Sequence, residues 1–208
     1  GDGIAPPPKD PRPAVHDSDG LLIHANGEWT FRALSRQSYP SVSRMTFDGV
    51  QGFGLLQRET DYSSYQDDEA KYHLRPSVWI TPARPFPPGA VELLELPGVH
   101  EGIDNVAAYW VPKDPVLLGQ PLELEYLVTF LFGDPPQQDE IARATKTKID
   151  RRGDGTIAFT ITFQGPSLSR ISSDRALDVF VSTVRGVVLS REASRQANEE
   201  WTVNVVVR

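Results

Sequence analysis

The sequence predicts an all-β chain built as an antiparallel β-sandwich, and three observations carry that prediction. Helical periodicity is scarce along the 208 residues. Short runs instead alternate apolar and polar residues with the period of two that turns one face of a strand toward a core. Turn-forming residues separate these runs, and 18 prolines and 16 glycines against a single Met supply them.

In chain order, Gly1 to Pro13 is Pro-rich and polar and reads as an extended lead-in. Leu21-Leu22-Ile23 opens the first strand, and Asn26-Gly27 is the turn that follows it. Gly52-Phe53-Gly54 runs into Leu55-Leu56-Gln57-Arg58, which reads as a strand and not as the helix start that a phosphate loop requires. Thr60 to Asp68 is too polar and too long to be buried without a reason, and reads as a binding loop. Pro87-Pro88-Gly89 and Pro97-Gly98 bracket the alternating run Ala90 to Glu95; Val106 to Val111 is a further strand. Gly119-Gln120-Pro121 precedes the alternating run Leu122 to Val128.

Gly133 to Asp139 carries turn and linker residues, so a large β domain is expected over 1–132, a linker over 133–139 and a smaller domain over 140–208. In that smaller domain Gly153-Asp154-Gly155 is a turn, after which Ile157, Phe159, Ile161 and Phe163 fall on one strand face. Four or five strands are expected there, fewer than the roughly seven of an immunoglobulin-like sandwich. An incomplete sandwich of that kind is the expectation. Trp201, Val203, Val205 and Val207 alternate to the last residue, and the chain starts without Met or a signal-peptide pattern, so a fragment of a longer protein is expected.

Bulk properties exclude several functions. A net charge of −7 argues against a nucleic-acid partner, whose phosphates need a basic surface. No apolar run approaches the roughly 20 residues of a membrane span. With no Cys there is neither disulfide nor thiol chemistry. The histidines at 16, 24, 73 and 100 lack zinc spacing, and no metal or cofactor is expected.

Two short acidic segments stand out, His16-Asp17-Ser18-Asp19-Gly20 and Glu101-Gly102-Ile103-Asp104-Asn105, each placed just before a strand. Two carboxyl groups brought to one cleft are what glycosidic-bond hydrolysis uses, one as acid and one as base. A calcium loop starting at Asp17 fails, because its sixth position needs Gly and here is Leu22. A triad of Ser18 and His16 fails too, since near neighbours in an extended segment diverge and no strand-turn-helix elbow is visible. The plain alternative is a pair of solvated turns whose Asp side chains bond their own backbone. Sequence physics leaves that open. Between the two segments lie Trp29, Tyr62, Tyr65, Gln66, Tyr72 and Trp79, of which the rings can stack on sugars although a core role is the default for any one.

The order of motifs is itself informative: Arg12 to Leu21, Asn26-Gly27-Glu28-Trp29, Gln51 to Arg58, Tyr72 to Trp79, Gly89 to Leu93, Asp104 to Trp110 and Asp154 to Phe159. In this order they resemble the periplasmic glucan biosynthesis proteins G and D (OpgG/MdoG and OpgD), closely from about Pro11 to Phe130 and more loosely to Arg208. The resemblance implies a periplasmic protein of osmoregulated glucan biosynthesis. It implies part of a large galactose-mutarotase-like β-sandwich followed by an immunoglobulin-like domain, with the start of the former and the last strands of the latter missing. It also implies an inverting endo-β-1,2-glucanase in the intact protein, with Asp104 as general acid and Asp17 as general base acting through a relay of waters. Glu101 and Tyr72 match residues beside the acid and the substrate, and His16, Ser18, Asp19, Tyr65 and Trp29 are the remaining expected glucan contacts. Such an acid is expected to have its pKa raised by burial or by a like charge such as Glu101. Gly102-Ile103 departs from the polar residues of the family. The implied partners are a β-1,2-glucan and the inner-membrane glucan synthase; the competing reading is a glucan-binding scaffold that does no chemistry.

Overall fold

A computed structural model describes residues 16–35, 37–97, 104–135, 141–172, 175–181, 183, 186–197 and 199–208. The chain divides into two units, Gly1–Pro135 and Pro136–Arg208. Every pairing between described strands is antiparallel.

The first unit contains β1 (Gly20–Ala25), β2 (Glu28–Ala33), β3 (Ser41–Phe47), β4 (Val50–Leu56), α1 (Tyr62–Tyr65), β5 (Ser77–Pro82), β6 (Gly89–Glu95), β7 (Val106–Pro112) and β8 (Tyr126–Leu131). They form a five-stranded sheet in the order β2-β1-β4-β5-β8 and a three-stranded sheet in the order β3-β6-β7. The β1–β2 hairpin follows from its turn: Asn26 and Gly27 both take positive φ, 54° and 77°, which Asn tolerates and Gly accepts freely.

Alternation then decides the layers. Leu21, Ile23 and Ala25 of β1 meet Val50 and Phe53 of β4, Phe86, and Val91 and Leu93 of β6 in one buried core between the sheets. The intervening Leu22 joins Leu56, Trp79, Trp29 and Leu131 on the opposite face of the larger sheet. A charged group enters the sandwich. Glu95 ends β6, is 2% exposed, and accepts from Arg32 Nη1 and Nη2 of β2 at 3.0 and 2.6 Å and from the Ser35 N–H at 2.9 Å. A buried carboxylate is costly unless paired and hydrogen-bonded in this way. This clasp ties the two sheets together at one end.

Phe86 touches both Trp110 of β7 and Tyr126 of β8, so the β7 and β8 edges lie on the same side of the unit. There Leu127 and Phe130 are 64% and 68% exposed.

Two expectations need adjusting. The alternating run from Leu122 becomes strand only at Tyr126, because its partner β5 ends at Pro82, opposite Tyr126. The polar segment Thr60 to Asp68 is not simply a loop: Asp61 caps α1 by accepting the Ser63 N–H at 2.8 Å, and Tyr65 is turned fully inward.

The second unit contains β9 (Arg143–Arg151), β10 (Ile157–Gln164), α2 (Pro166–Ser169), β11 (Val188–Arg195) and β12 (Trp201–Val207), with the strands in one sheet ordered β11-β12-β10-β9. Asp154 builds the β9–β10 turn by accepting the Thr156 N–H and hydroxyl at 2.9 and 2.6 Å, with Gly155 at φ 81°. Those bonds hold the Asp154 carboxyl below its ordinary pKa.

Candidate functional site

The segment preceding β1 is pinned at the ends of three strands. Asp19 N–H donates to Leu56 O at 2.7 Å at the end of β4, and Leu34 N–H donates to Asp19 O at 3.0 Å just past β2. Its carboxylate is held as well. Asp19 accepts the Arg58 N–H at 2.8 Å and Arg58 Nε at 3.1 Å, while the Arg58 guanidinium lies 3.8 Å over the Phe31 ring. Ser18 Oγ donates to Asp17 O at 2.8 Å. Asp17 itself is 61% exposed and lies 3.6 Å from Arg75 Nη1.

Beneath Asp17 sits a polar hub. Gln57, the residue after β4, is 1% exposed and reaches His16 O, Tyr65 Oη and Tyr72 O with Nε2, at 2.9, 2.8 and 3.2 Å. His16 Nδ1 lies 3.2 Å from Gln57 Oε1, and the His16 ring meets Tyr65 edge-on at 5.2 Å. Tyr65 packs at 5.8 Å from Tyr72 and donates its hydroxyl hydrogen to Glu59 O at 3.1 Å. Burial, then the charges of Glu59 and Asp19, push the Tyr65 phenol up to about 12, against the Gln57 bond that lowers it. Tyr65 is therefore a neutral wall. Arg75 reaches back to Ala70 O at 3.3 Å, and its N–H donates to Tyr72 O at 3.1 Å.

His16, Asp17, Ser18, Asp19, Tyr65 and Tyr72 thus share one cluster, joined by Gln57, Arg58 and Arg75. Sequence reasoning missed those three as site residues. Gln57 and Arg58 read as the tail of a strand, and nothing local announces a contact 41 residues away. Trp29 lies elsewhere, stacked on His24 at 4.2 Å and beside Trp79 at 5.7 Å, near the hairpin end of β1. Burial lowers the His24 pKa there.

Asp104 is exposed and just precedes β7. Asn105 O accepts the Leu96 N–H at 2.7 Å, and Leu96 follows Glu95, the carboxylate of the Arg32 clasp. Since Arg32 sits where β2 meets the Asp19 segment, the Asp17 and Asp104 segments emerge at the same end of the first unit. Glu101 lies outside the described residues, as do Gly102 and Ile103. Among the described residues no group of His, Asp and Glu could hold a metal ion, and no helix is long and apolar enough to cross a membrane.

Comparison with known proteins adds to this geometry. The family model described as "Periplasmic glucan biosynthesis protein, MdoG" matches residues 2–208. Glucans biosynthesis protein G of Pseudomonas entomophila (strain L48) is 37% identical over 183 residues, which cover 82% of this chain and 32% of the relative. The protein of the same name from Pseudomonas putida (strain W619) is 37% identical over 178 residues, covering 80% and 31%. The chain spans about a third of the length of the curated relatives it matches.

Proposed function

The chain belongs to the MdoG family of periplasmic glucan biosynthesis proteins, and from that premise we propose that it carries the acid and base of an inverting endo-β-1,2-glucanase. The intact protein works in the periplasm on the backbone of osmoregulated glucans, alongside the inner-membrane glucan synthase. Asp104 donates its proton to the glycosidic oxygen as the bond to the anomeric carbon breaks. Asp17, through a chain of waters, takes the proton from the water that attacks the opposite face of that carbon. Tyr72 and the polar groups around Asp17 contact the glucan.

The observation that carries this reading is that two carboxylates from distant segments emerge at one end of the same β-sandwich. Inversion needs its two carboxyl groups about 6.5–9.5 Å apart or more, so that water fits between. A relay suits an exposed Asp17. Reducing-sugar release from linear β-1,2-glucan by the intact protein tests the proposal, beside its Asp104→Asn variant. Release abolished by the substitution with glucan binding retained supports the hydrolase. A folded parent that binds glucan without cleaving it leaves the scaffold reading in its place.

A further inference from the structure

The Gln57 amide has only one orientation open to it. Its Nε2 faces two backbone carbonyls, His16 O at 2.9 Å and Tyr72 O at 3.2 Å, and a carbonyl can only accept. Tyr65 Oη, 2.8 Å away, has its own hydrogen on Glu59 O and accepts as well. The –NH2 end must therefore occupy this side, with its two hydrogens shared among three acceptors. Exchanging the ends would set an oxygen against two carbonyl oxygens in a buried place, which costs more than the lost bonds. The other end follows by elimination: Oε1 points at His16 Nδ1, 3.2 Å away, and an amide oxygen cannot donate. Nδ1 carries the hydrogen.

We propose that Gln57 is a positioning residue which sets the tautomer of the uncharged His16 ring as Nδ1–H, so that in this form the bare Nε2 serves as an acceptor for a hydroxyl of the glucan beside Asp17. The arrangement rests on the glucan reading above and adds to it a named recognition atom. It also explains why a fully buried amide sits here. One side chain clamps the main chain before Asp17 to the main chain at Tyr72, while choosing which nitrogen of the half-buried His16 ring carries the hydrogen. A site built to receive a hydroxyl hydrogen discriminates strongly against ligands lacking it, because its own polar atom is then left unpaired.

Nitrogen-15 NMR of the His16 ring in the intact protein tests this. The expected spectrum has hydrogen on Nδ1 and none on Nε2, a mixture of tautomers in Gln57→Leu, and a shift of the Nε2 resonance when β-1,2-linked gluco-oligosaccharide is added to the Asp104→Asn protein. His16→Asn is the companion variant, since an Asn amide can keep the donor to Gln57 while lacking the Nε2 acceptor. It should keep the parent Tm and bind the oligosaccharide about tenfold more weakly, the worth of one hydrogen bond. An uncharged ring with its hydrogen on Nε2 in the parent, an unchanged tautomer in Gln57→Leu, or parent-like binding by His16→Asn would each overturn the proposal. An Nε2 resonance that ignores bound oligosaccharide overturns it too. Oligosaccharide that moves the Nε2 resonance but is never cleaved by the parent supports it and counts only against the hydrolase.

Discussion

The first unit buries its central strands β1 and β6 between two sheets, whereas among the described residues the second unit presents the same kind of strand with little to pack on. In β1 and β6, Leu21, Ile23, Val91 and Leu93 are all fully buried. In β10, Ile157, Phe159, Ile161 and Phe163 alternate just as regularly, yet each stays partly exposed. Among the described residues of the second unit only Thr156, Leu168, Trp201 and Val205 are buried. Alternation specifies which side chains share a face. A second layer is what turns that face into a core.

The sharpest way to break the contrast is to remove a group that has no analogue among the described residues of the second unit. Glu95→Ala strands Arg32 beside the core and should cost about 3 kcal/mol. Arg32→Met/Glu95→Leu together should recover most of it, as denaturant titration of the intact protein would show. Leu93→Ala comes next. It leaves a cavity where the site cannot collapse and should cost about 3 kcal/mol, whereas Ile161→Ala should cost no more than about 1 kcal/mol. Hydrogen exchange read at β6 and at β12 separates these two outcomes; equal losses would erase the distinction between the units.

The smallest effect sharpens the picture at the hub. The Tyr65 phenol is raised in the folded protein, so the unfolded chain releases its proton first. The stability this provides is complete below pH 10 and is lost as pH rises from about 10 to about 12. Tyr65→Phe should flatten that alkaline limb of a melting-temperature profile, while lowering stability across the neutral range by about 1 kcal/mol for the lost hydroxyl bonds.

Much of the architecture was legible because period-two patterning and turn chemistry are local signals. Asn26-Gly27 and Gly153-Asp154-Gly155 are turns as read, and the faces of β1 follow from alternation alone. The start of β8 was not legible. Leu122 and Leu124 alternate correctly, but a strand exists only where a partner runs beside it, and β5 stops at Pro82. Tyr65 was misleading for a related reason. Its neighbours are polar, and only the fold brings Gln57 and His16 to cover it. In the site, the acidic segment at Asp17 announces itself by composition. The residues that orient it, Gln57, Arg58 and Arg75, are ordinary in their local setting and become informative only through contacts of long sequence separation.

The side of the first unit where β7 and β8 form edges has one more consequence. β8 carries Leu127 on one face and Phe130 on the other, both largely exposed, beside a backbone edge able to continue the ladder. Such an edge selects its neighbour by length and register, not by a shaped pocket. The β8 edge is therefore a template for self-association, and a chain that presents it uncovered should build oligomers by strand addition in proportion to its concentration. A lysine introduced at Phe130 would act as a gatekeeper and hold it monomeric.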